Sequence, residues 1–432
     1  MLIFISDLHF IDETAGTHNI HPQAFKGAFS DIANYTRSMS NGNSEVKLVF
    51  LGDVFDLIRT TQWLEVPEDE RPWGDTQGKA DKIESHAIRI MDDILATKYN
   101  SETLSFLKND LQGVFGREVK KIFIPGNHDR LCNVYPSLRQ KVRDVLGISG
   151  DTEPFTHAYE DRAYGVYAMH GHEFDDWNYA GGPDWTDSDY NQVPLGDLIA
   201  CEIIAKIPHI IMSNISGSMP QTEKNSFLRN LQEIDNIRPF SAIFKWLFYQ
   251  VRKNQDLKEI INDSIKETVR NFDNLRFPDN WRMGCNKSPN LVLAMKLKAL
   301  AKILKYLNIS ALESIINIYS SIFTASASPD SSDDVLNRGA TAFLSRRSDY
   351  RYLVMGHTHN PLQMPVKVTG SGEDQIYVNT GTWRKKYFQG TAGGFVGLKY
   401  LTYAVFYDRE ENPSQKFEVW TGTLKEEEKW PR

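Results

Sequence analysis

Five short apolar runs in this chain each stop abruptly on a polar cluster. LIFI runs into Ser6-Asp7, KLVFL into Gly52-Asp53, KIFIP into Gly126-Asn127, YGVYAM into His170, and YLVM into Gly356-His357. Runs this short and this continuously apolar fit strands buried on both faces. Between the first three lie Pro22–Met39, Lys79–Tyr99 and Ser101–Val114, with apolar residues at helical spacing. Strand and helix therefore alternate, which predicts an α/β layered domain. In an open α/β sheet the residues just past the carboxyl ends of strands share one edge, so these distant polar clusters are expected to meet in one cleft.

The clusters hold a narrow choice of side chains: Asp7 and His9, Asp53 and Asp56, Asn127, His128 and Asp129, His170 and His172, His357 and His359. Six of the eleven histidines fall in them. Carboxylate, amide and imidazole donors without thiolates suit zinc, manganese or iron, and one carboxylate can bridge two ions. A two-metal site is the expectation. Asp7 and His9 lie two apart, as do His357 and His359; on a continuing strand each pair would share a face and approach one metal centre.

Composition narrows the setting. Cys132, Cys201 and Cys285 are scattered, so neither a disulfide framework nor a thiolate zinc site is indicated, and a reducing, cytoplasmic location is expected. The opening MLIFISDLHF leaves no room for a signal peptide before the first acid-histidine cluster, so the mature chain is expected to begin at Met1. No stretch of about eighteen apolar residues predicts a transmembrane helix. With 49 Lys+Arg against 56 Asp+Glu and a net charge of -7, general nucleic-acid binding is disfavoured.

After His172 an aromatic, acidic stretch leads into a long block of helical periodicity. Helices are expected at Leu195–Ser213, Ser226–Arg252, Leu257–Phe272, Leu291–Leu307, Ala311–Thr324 and Val335–Leu344, with Ser326–Asp334 as a flexible connection. Strand signals return from Tyr352 in QIYVNTG, FVGLKYLTYAVFY and KFEVWTG. The expected organisation is a core in two parts, 1–185 and 348–432, interrupted by a helical insertion over 186–347. From Asn280 to Leu312 there are six basic residues and no acidic one, and Lys298, Lys302 and Lys305 oppose Leu293, Leu297, Leu300 and Leu304 on a helical wheel. Such a basic amphipathic helix packs within the insertion with solvated lysines, or forms a lid over an anionic, lipid-bearing substrate, or touches an anionic membrane surface.

In order, the motifs DLH, GDVFD, GNHD, HGH and GHTH resemble the signature of the calcineurin-like metallophosphoesterases, over roughly residues 1–180 and 350–432. The resemblance implies a four-layer sandwich of two facing mixed sheets flanked by helices, here with a large helical insertion. It implies that Asp7, His9 and His359 hold one divalent metal (manganese, iron or zinc), that Asn127, His170 and His357 hold a second, and that Asp53 bridges them. His128 would contact the scissile phosphate or protonate the leaving oxygen, with Asp56 orienting it. His170 and His172 both remain candidates from HGH, the first directly ending its strand, the second then facing substrate.

Asn127 and Arg130 could also contact a phosphate, Arg130 bidentately; alternatively Asp129 binds local backbone and Arg130 pairs with an acid. The NTGTW stretch, Asn379 to Trp383, resembles the segment that supports the metal loops in the family. The implied activity is hydrolysis of a phosphomonoester, phosphodiester or pyrophosphate bond by a hydroxide bridging two metals. The substrate would be a phosphorylated small molecule or lipid-linked compound. GDVFD and the insertion are similar to the branch that cleaves UDP-diacylglucosamine pyrophosphate, from which His128 departs, since that branch has arginine there. A catalytically silent scaffold and a nuclease are the rival functions on the same motifs.

Overall fold

Along the first strand, β1 (Leu2–Ile5), successive side chains serve different layers. Leu2 and Phe4 face one buried cluster, Ile3 and Ile5 another. The same division holds in β2 (Val46–Leu51), where Val49 and Leu51 join the first cluster and Leu48 and Phe50 the second. Both faces of these strands are covered, which is why the sequence shows unbroken apolar runs instead of alternation. The computed structural model describes residues 1–17, 20–39, 45–74, 78–215, 220–238, 242–275, 329–368, 374–391, 393–407, 412 and 416–423.

The remaining strands are β3 (Val119–Ile124), β4 (Ala158–Asp161), β5 (Val166–Met169), β6 (Ile237–Arg238), β7 (Tyr352–Met355), β8 (Leu362–Lys367), β9 (Gln375–Asn379), β10 (Lys385–Gln389), β11 (Phe395–Phe406) and β12 (Phe417–Thr423). They form two mixed sheets. One runs β3-β2-β1-β11-β10-β6, with β12 also on β11; the other runs β4-β5-β7-β9-β8. β1, β2 and β3 are parallel, as are β5, β7 and β9, while β11 is antiparallel to β1.

Leu2, Phe4, Val49 and Ile124 of the first sheet share a cluster with Val166, Ala168, Val354 and Val378 of the second, so the sheets face each other. Phe25, Phe29 and Ile32 of helix Pro22–Met39, with Ile83, Ile90 and Ile94 of helix Ala80–Ala96, cover the outer face of the first sheet. Leu336, Ala340 and Leu344, one stripe of helix Pro329–Arg346, cover Tyr167, Met169, Leu353 and Met355 of the second. The fold is thus α/β, as expected.

Three expected elements differ. The helix expected over Ser226–Arg252 is two helices, Gln221–Gln232 and Ile243–Gln250, separated by a short 3-10 turn and β6. Pro239 is the cause in the sequence: it disfavours the helical region for Arg238 and supplies no N–H. Ile237 and Arg238 instead pair in parallel with Tyr387 and Phe388 of β10. Of the connection expected over Ser326–Asp334, residues 329–334 belong to helix Pro329–Arg346, which begins on a proline, the residue best suited to a first helical position, and the rest lies outside the described residues.

The helix expected over Leu195–Ser213 contains a π-helical stretch at Ala200–Ala205, where Pro208 leaves the Ile204 carbonyl without its usual donor. The helices expected at Leu291–Leu307 and Ala311–Thr324, and with them the basic amphipathic helix, lie outside the described residues. Among the described residues no helix is long and apolar enough to cross a membrane.

Part of the 186–347 segment packs into the main core through Leu195, Leu198 and Phe272. Ile207, Ile211, Leu231, Leu247, Ile261 and Ile265 form a second core closed by Tyr387 of β10.

Candidate metal centre

Just beyond β1, β2 and β7 the backbone leaves the extended region for the left-handed one. Asp7, His9, Asp53, His357 and His359 all have φ between +47° and +71°. Only seven described non-glycine residues do so, and five are these. Each such conformation costs on the order of 1 kcal/mol or more and persists only where the surroundings enforce it. Here the enforcement is visible: the loops after β1 and β2 stay bonded through Asp7 N to Gly52 O (3.1 Å), His9 N to Asp53 O (2.9 Å) and Phe10 N to Val54 O (2.8 Å). The shared-face expectation for Asp7 and His9 on a continuing strand is therefore corrected, because β1 ends at Ile5 and the turn, not the pleat, aims both side chains.

Small residues let the loops close in. A Cβ on Gly52 would lie 2.2 Å from His170 Nδ1, and one on Gly126 would lie 2.3 Å from Asp53 Oδ1. Both glycines are required by the approach of a site side chain to backbone.

Three overlapping groups of ligand atoms result: Asp7, His9 and His359; His9, Asp53 and His128; and Asp53, His170 and His357. Asp53 Oδ2 lies 3.7 Å from His9 Nε2 and 3.3 Å from His170 Nε2. His359 Nε2 lies 3.1 Å from Asp7 Oδ1. His357 and His359, which strand spacing put at one centre and the resemblance divided between two metals, fall into different groups. His170, not His172, stands at Asp53; His172 belongs to none of the groups, its ring centred 5.3 Å from that of His170.

Neighbouring acceptors assign the imidazole protons. His9 Nδ1 meets Asp56 Oδ2 at 3.2 Å, His170 Nδ1 meets the Leu51 carbonyl at 2.8 Å, and His357 Nε2 meets Asp175 Oδ2 at 3.0 Å. Carboxylates and carbonyls only accept, so a proton sits on each of those nitrogens and the opposite nitrogen faces the site. Against burial, Asp53 and Asp7 raise His170 to about 10, so its Nε2 also carries a proton toward Asp53, which a cation there would displace. His359 is the exception: Arg238 Nη2 donates to its Nδ1 at 3.3 Å, which places the ring proton on Nε2, 3.2 Å from the lone pair of His9 Nε2. A cation at Nε2 must displace that proton, and Arg238 must then turn away.

Buried Asp7 Oδ1 and Asn127 Oδ1 have no hydrogen-bond partner. Both are electron-pair donors, and such atoms are costly to bury unsatisfied. The donor set thus fits a metal ion.

Electrostatics divide the site. Burial drives Asp7 up to about 6, helped by neighbouring Asp53. Burial would raise Asp53 too, but His170, His128 and His9 together outweigh it and hold it well below the usual carboxylate range. Burial lowers His9 to about 3. For His128 burial is overcome by Asp56 and Asp53, which raise it to about 9.

His128 Nδ1 donates to Asp56 Oδ1 at 2.9 Å, and its backbone N–H donates to Asp53 Oδ1 at 2.9 Å. Its side chain is 19% exposed against 9% or less for His9, His170, His357 and His359, so it is the imidazole of the group that reaches toward solvent.

Asp129 accepts from Gly126 N and Val54 N and ties the loops after β2 and β3 together. Arg130 pairs through Nη2 with buried Asp197 at 2.8 Å, joining the core to the 186–347 segment. In the NTGTW stretch, Asn379 donates to the Gly356 carbonyl and Thr382 to that of Asp7, bracing both histidine-bearing loops.

Four partners escaped the sequence reading: Asp175 on His357, Asn178 on Asn127, Arg59 on Asp56, and Arg238 on His359. Asp175 and Asn178 lie in the acidic, aromatic stretch after HGH, and Arg59 follows Asp56 by one helical turn; these were the available signals. No signal in the sequence marks Arg238. Comparison with known proteins adds no assignment, since neither a family model nor a curated protein matches the chain.

Proposed function

We propose that the chain is a metal-dependent phosphoesterase of the calcineurin-like metallophosphoesterase superfamily, hydrolysing a phosphomonoester, phosphodiester or pyrophosphate bond in a small or lipid-linked substrate. On this proposal the two mixed sheets with helices on their outer faces are that family's four-layer core. The observation that carries it is the position of Asp53, whose one carboxylate oxygen lies near both His9 and His170, from opposite groups of donors.

Asp7, His9 and His359 would hold one cation, Asn127, His170 and His357 the other, with Asp53 between. Two divalent ions, manganese, iron or zinc, would supply a nucleophilic water at neutral pH and neutralise phosphate charge. The chain's own work is to aim and protonate. His128, braced by Asp56 and partly exposed, presents Nε2 to the substrate side and delivers a proton to the leaving oxygen. The carboxylate of Asp56 favours the imidazolium and raises the acid above the usual histidine range.

The test is metal analysis of purified protein followed by a hydrolysis panel of phosphomonoesters, phosphodiesters, nucleotide sugars and lipid pyrophosphates, with and without chelator. About two metals per chain and chelator-sensitive hydrolysis of at least one class are expected. A metal-loaded protein inert on all of them would be a binding scaffold, and salt-sensitive DNA binding with strand cleavage would make it a nuclease.

A further inference from the structure

Asp56, which orients His128, is itself held from behind. Arg59 donates its backbone N–H to Asp56 Oδ1 (3.0 Å) and its Nε–H to Asp56 Oδ2 (3.1 Å). The other end of the same guanidinium lies against Asp235, with Nη1 3.0 Å from Oδ2. Asp235 belongs to the 3-10 turn ahead of β6, within the 186–347 segment. A guanidinium is planar and its donors are in a fixed fork, so two carboxylates bound at its two ends set the plane of both.

Asp235 is anchored in turn. Arg384 Nη2 donates to Asp235 Oδ2 at 2.6 Å and to Asn236 Oδ1 at 2.7 Å, and Arg238 Nη1 donates to the Asp235 carbonyl at 2.6 Å. β6 pairs with β10, and Trp246 packs its ring 4.7 Å from that of Tyr387. Glu233 binds Lys385 (3.3 Å) and accepts from Thr17 (3.2 Å). Arg59 and Arg384 are each 2% exposed, so Asp235 is a buried carboxylate between two buried cations. Removing its charge deprives Arg384 of its paired carboxylate and leaves Arg59 with Asp56 alone.

We propose that Asp235 is a positioning residue for the candidate site: through Arg59 it sets the plane of Asp56 and thereby the ring of His128. The 186–347 segment is then part of the catalytic apparatus and not only a cover. This rests on the phosphoesterase proposal for its kinetic consequence, though not for its structural one.

The test is Asp235→Asn, with Arg59→Lys as the second variant, since a lysine keeps the charge but has one donor group and does not span both carboxylates. Metal content and thermal unfolding of each are compared with the parent first. In protein labelled with 15N-histidine, the Nδ1 proton of His128 is then observed directly; the variant is expected to shift or broaden it. With the best substrate of the hydrolysis panel, kcat is expected to fall about 10- to 100-fold while KM changes less than about threefold. The double variant is expected to be no worse than the weaker single one, because both remove one relay.

Should Asp235→Asn not fold, Arg59→Lys carries the same expectations. An unshifted His128 resonance overturns the proposal, as does an unchanged kcat in an active enzyme. If the parent hydrolyses nothing, the phosphoesterase proposal falls while the resonance still decides the role of Asp235.

Discussion

His9 Nε2 and His359 Nε2 stand 3.2 Å apart although 350 residues separate them in the chain. Asp56 holds the proton of His9 on Nδ1, so its Nε2 offers a lone pair, and the proton on His359 Nε2 occupies the space between the rings. A cation taken up between these rings would have to displace that proton, so its binding would depend on pH.

Asp53 is the carboxylate common to two of the three donor groups. Replacing it by alanine is expected to lower bound metal from about two per chain to near zero, read by elemental analysis after desalting. Retention of both metals would remove Asp53 from the bridging role.

His128 touches Asp56 and lies beside Asp53 without being assigned as a ligand. The substitution His128→Ala should leave metal content unchanged and lower kcat on the order of 10²–10⁴-fold. Steady-state kinetics on metal-replete protein check this, and full activity would show that the leaving oxygen departs without its help.

Arg130 and Asp197 form a buried pair at 2.8 Å between the GNHD loop and the 186–347 segment. Breaking it one side at a time is expected to cost about 3–5 kcal/mol, whereas Arg130→Met with Asp197→Leu together should recover most of that. Denaturant unfolding measures the stability. If Arg130→Met left stability untouched but raised KM severalfold, the arginine would be a phosphate contact after all.

His157 stacks on Tyr190 with ring centres 3.4 Å apart and accepts from Asn133 at 3.3 Å. Burial lowers it to about 4, with Asp187 opposing. The unfolded chain, with a histidine near 6.5, binds the proton first as pH falls, so stability rises with pH between about 4 and 6.5 and is lost on acidification through that window. The loss is on the order of 3 kcal/mol. Comparing unfolding of the parent and His157→Gln across pH 4 to 7 should show a flatter curve for the variant; parallel curves would contradict the assignment.

The motif residues were legible because their chemistry is local: an acid or imidazole immediately after an apolar run marks a strand end whatever the rest does. The clusters that contain Asp7, His9, Asp53, Asn127, His170, His357 and His359 are legible that way; singling out these seven as ligands is what the resemblance to the metallophosphoesterases implies. The division of His357 and His359 between groups was not derivable from strand spacing, because a left-handed turn at each residue replaces the pleat on which that spacing argument depends. The break at Ile237–Arg238 was missed because helical periodicity on either side outweighed Pro239 in the pattern.

What the sequence by itself determined is the strands that end at the site and the donors at their ends, since apolar runs and strand termination are properties of neighbouring residues. Only the tertiary structure decided which nitrogen of each histidine carries the proton, that Arg130 faces Asp197, and that Asp235 reaches Arg59. Those are contacts between segments more than a hundred residues apart in the latter case. Their partners are chosen by how layers pack, and no local pattern encodes a distance between side chains that meet only after the sheets have closed on each other.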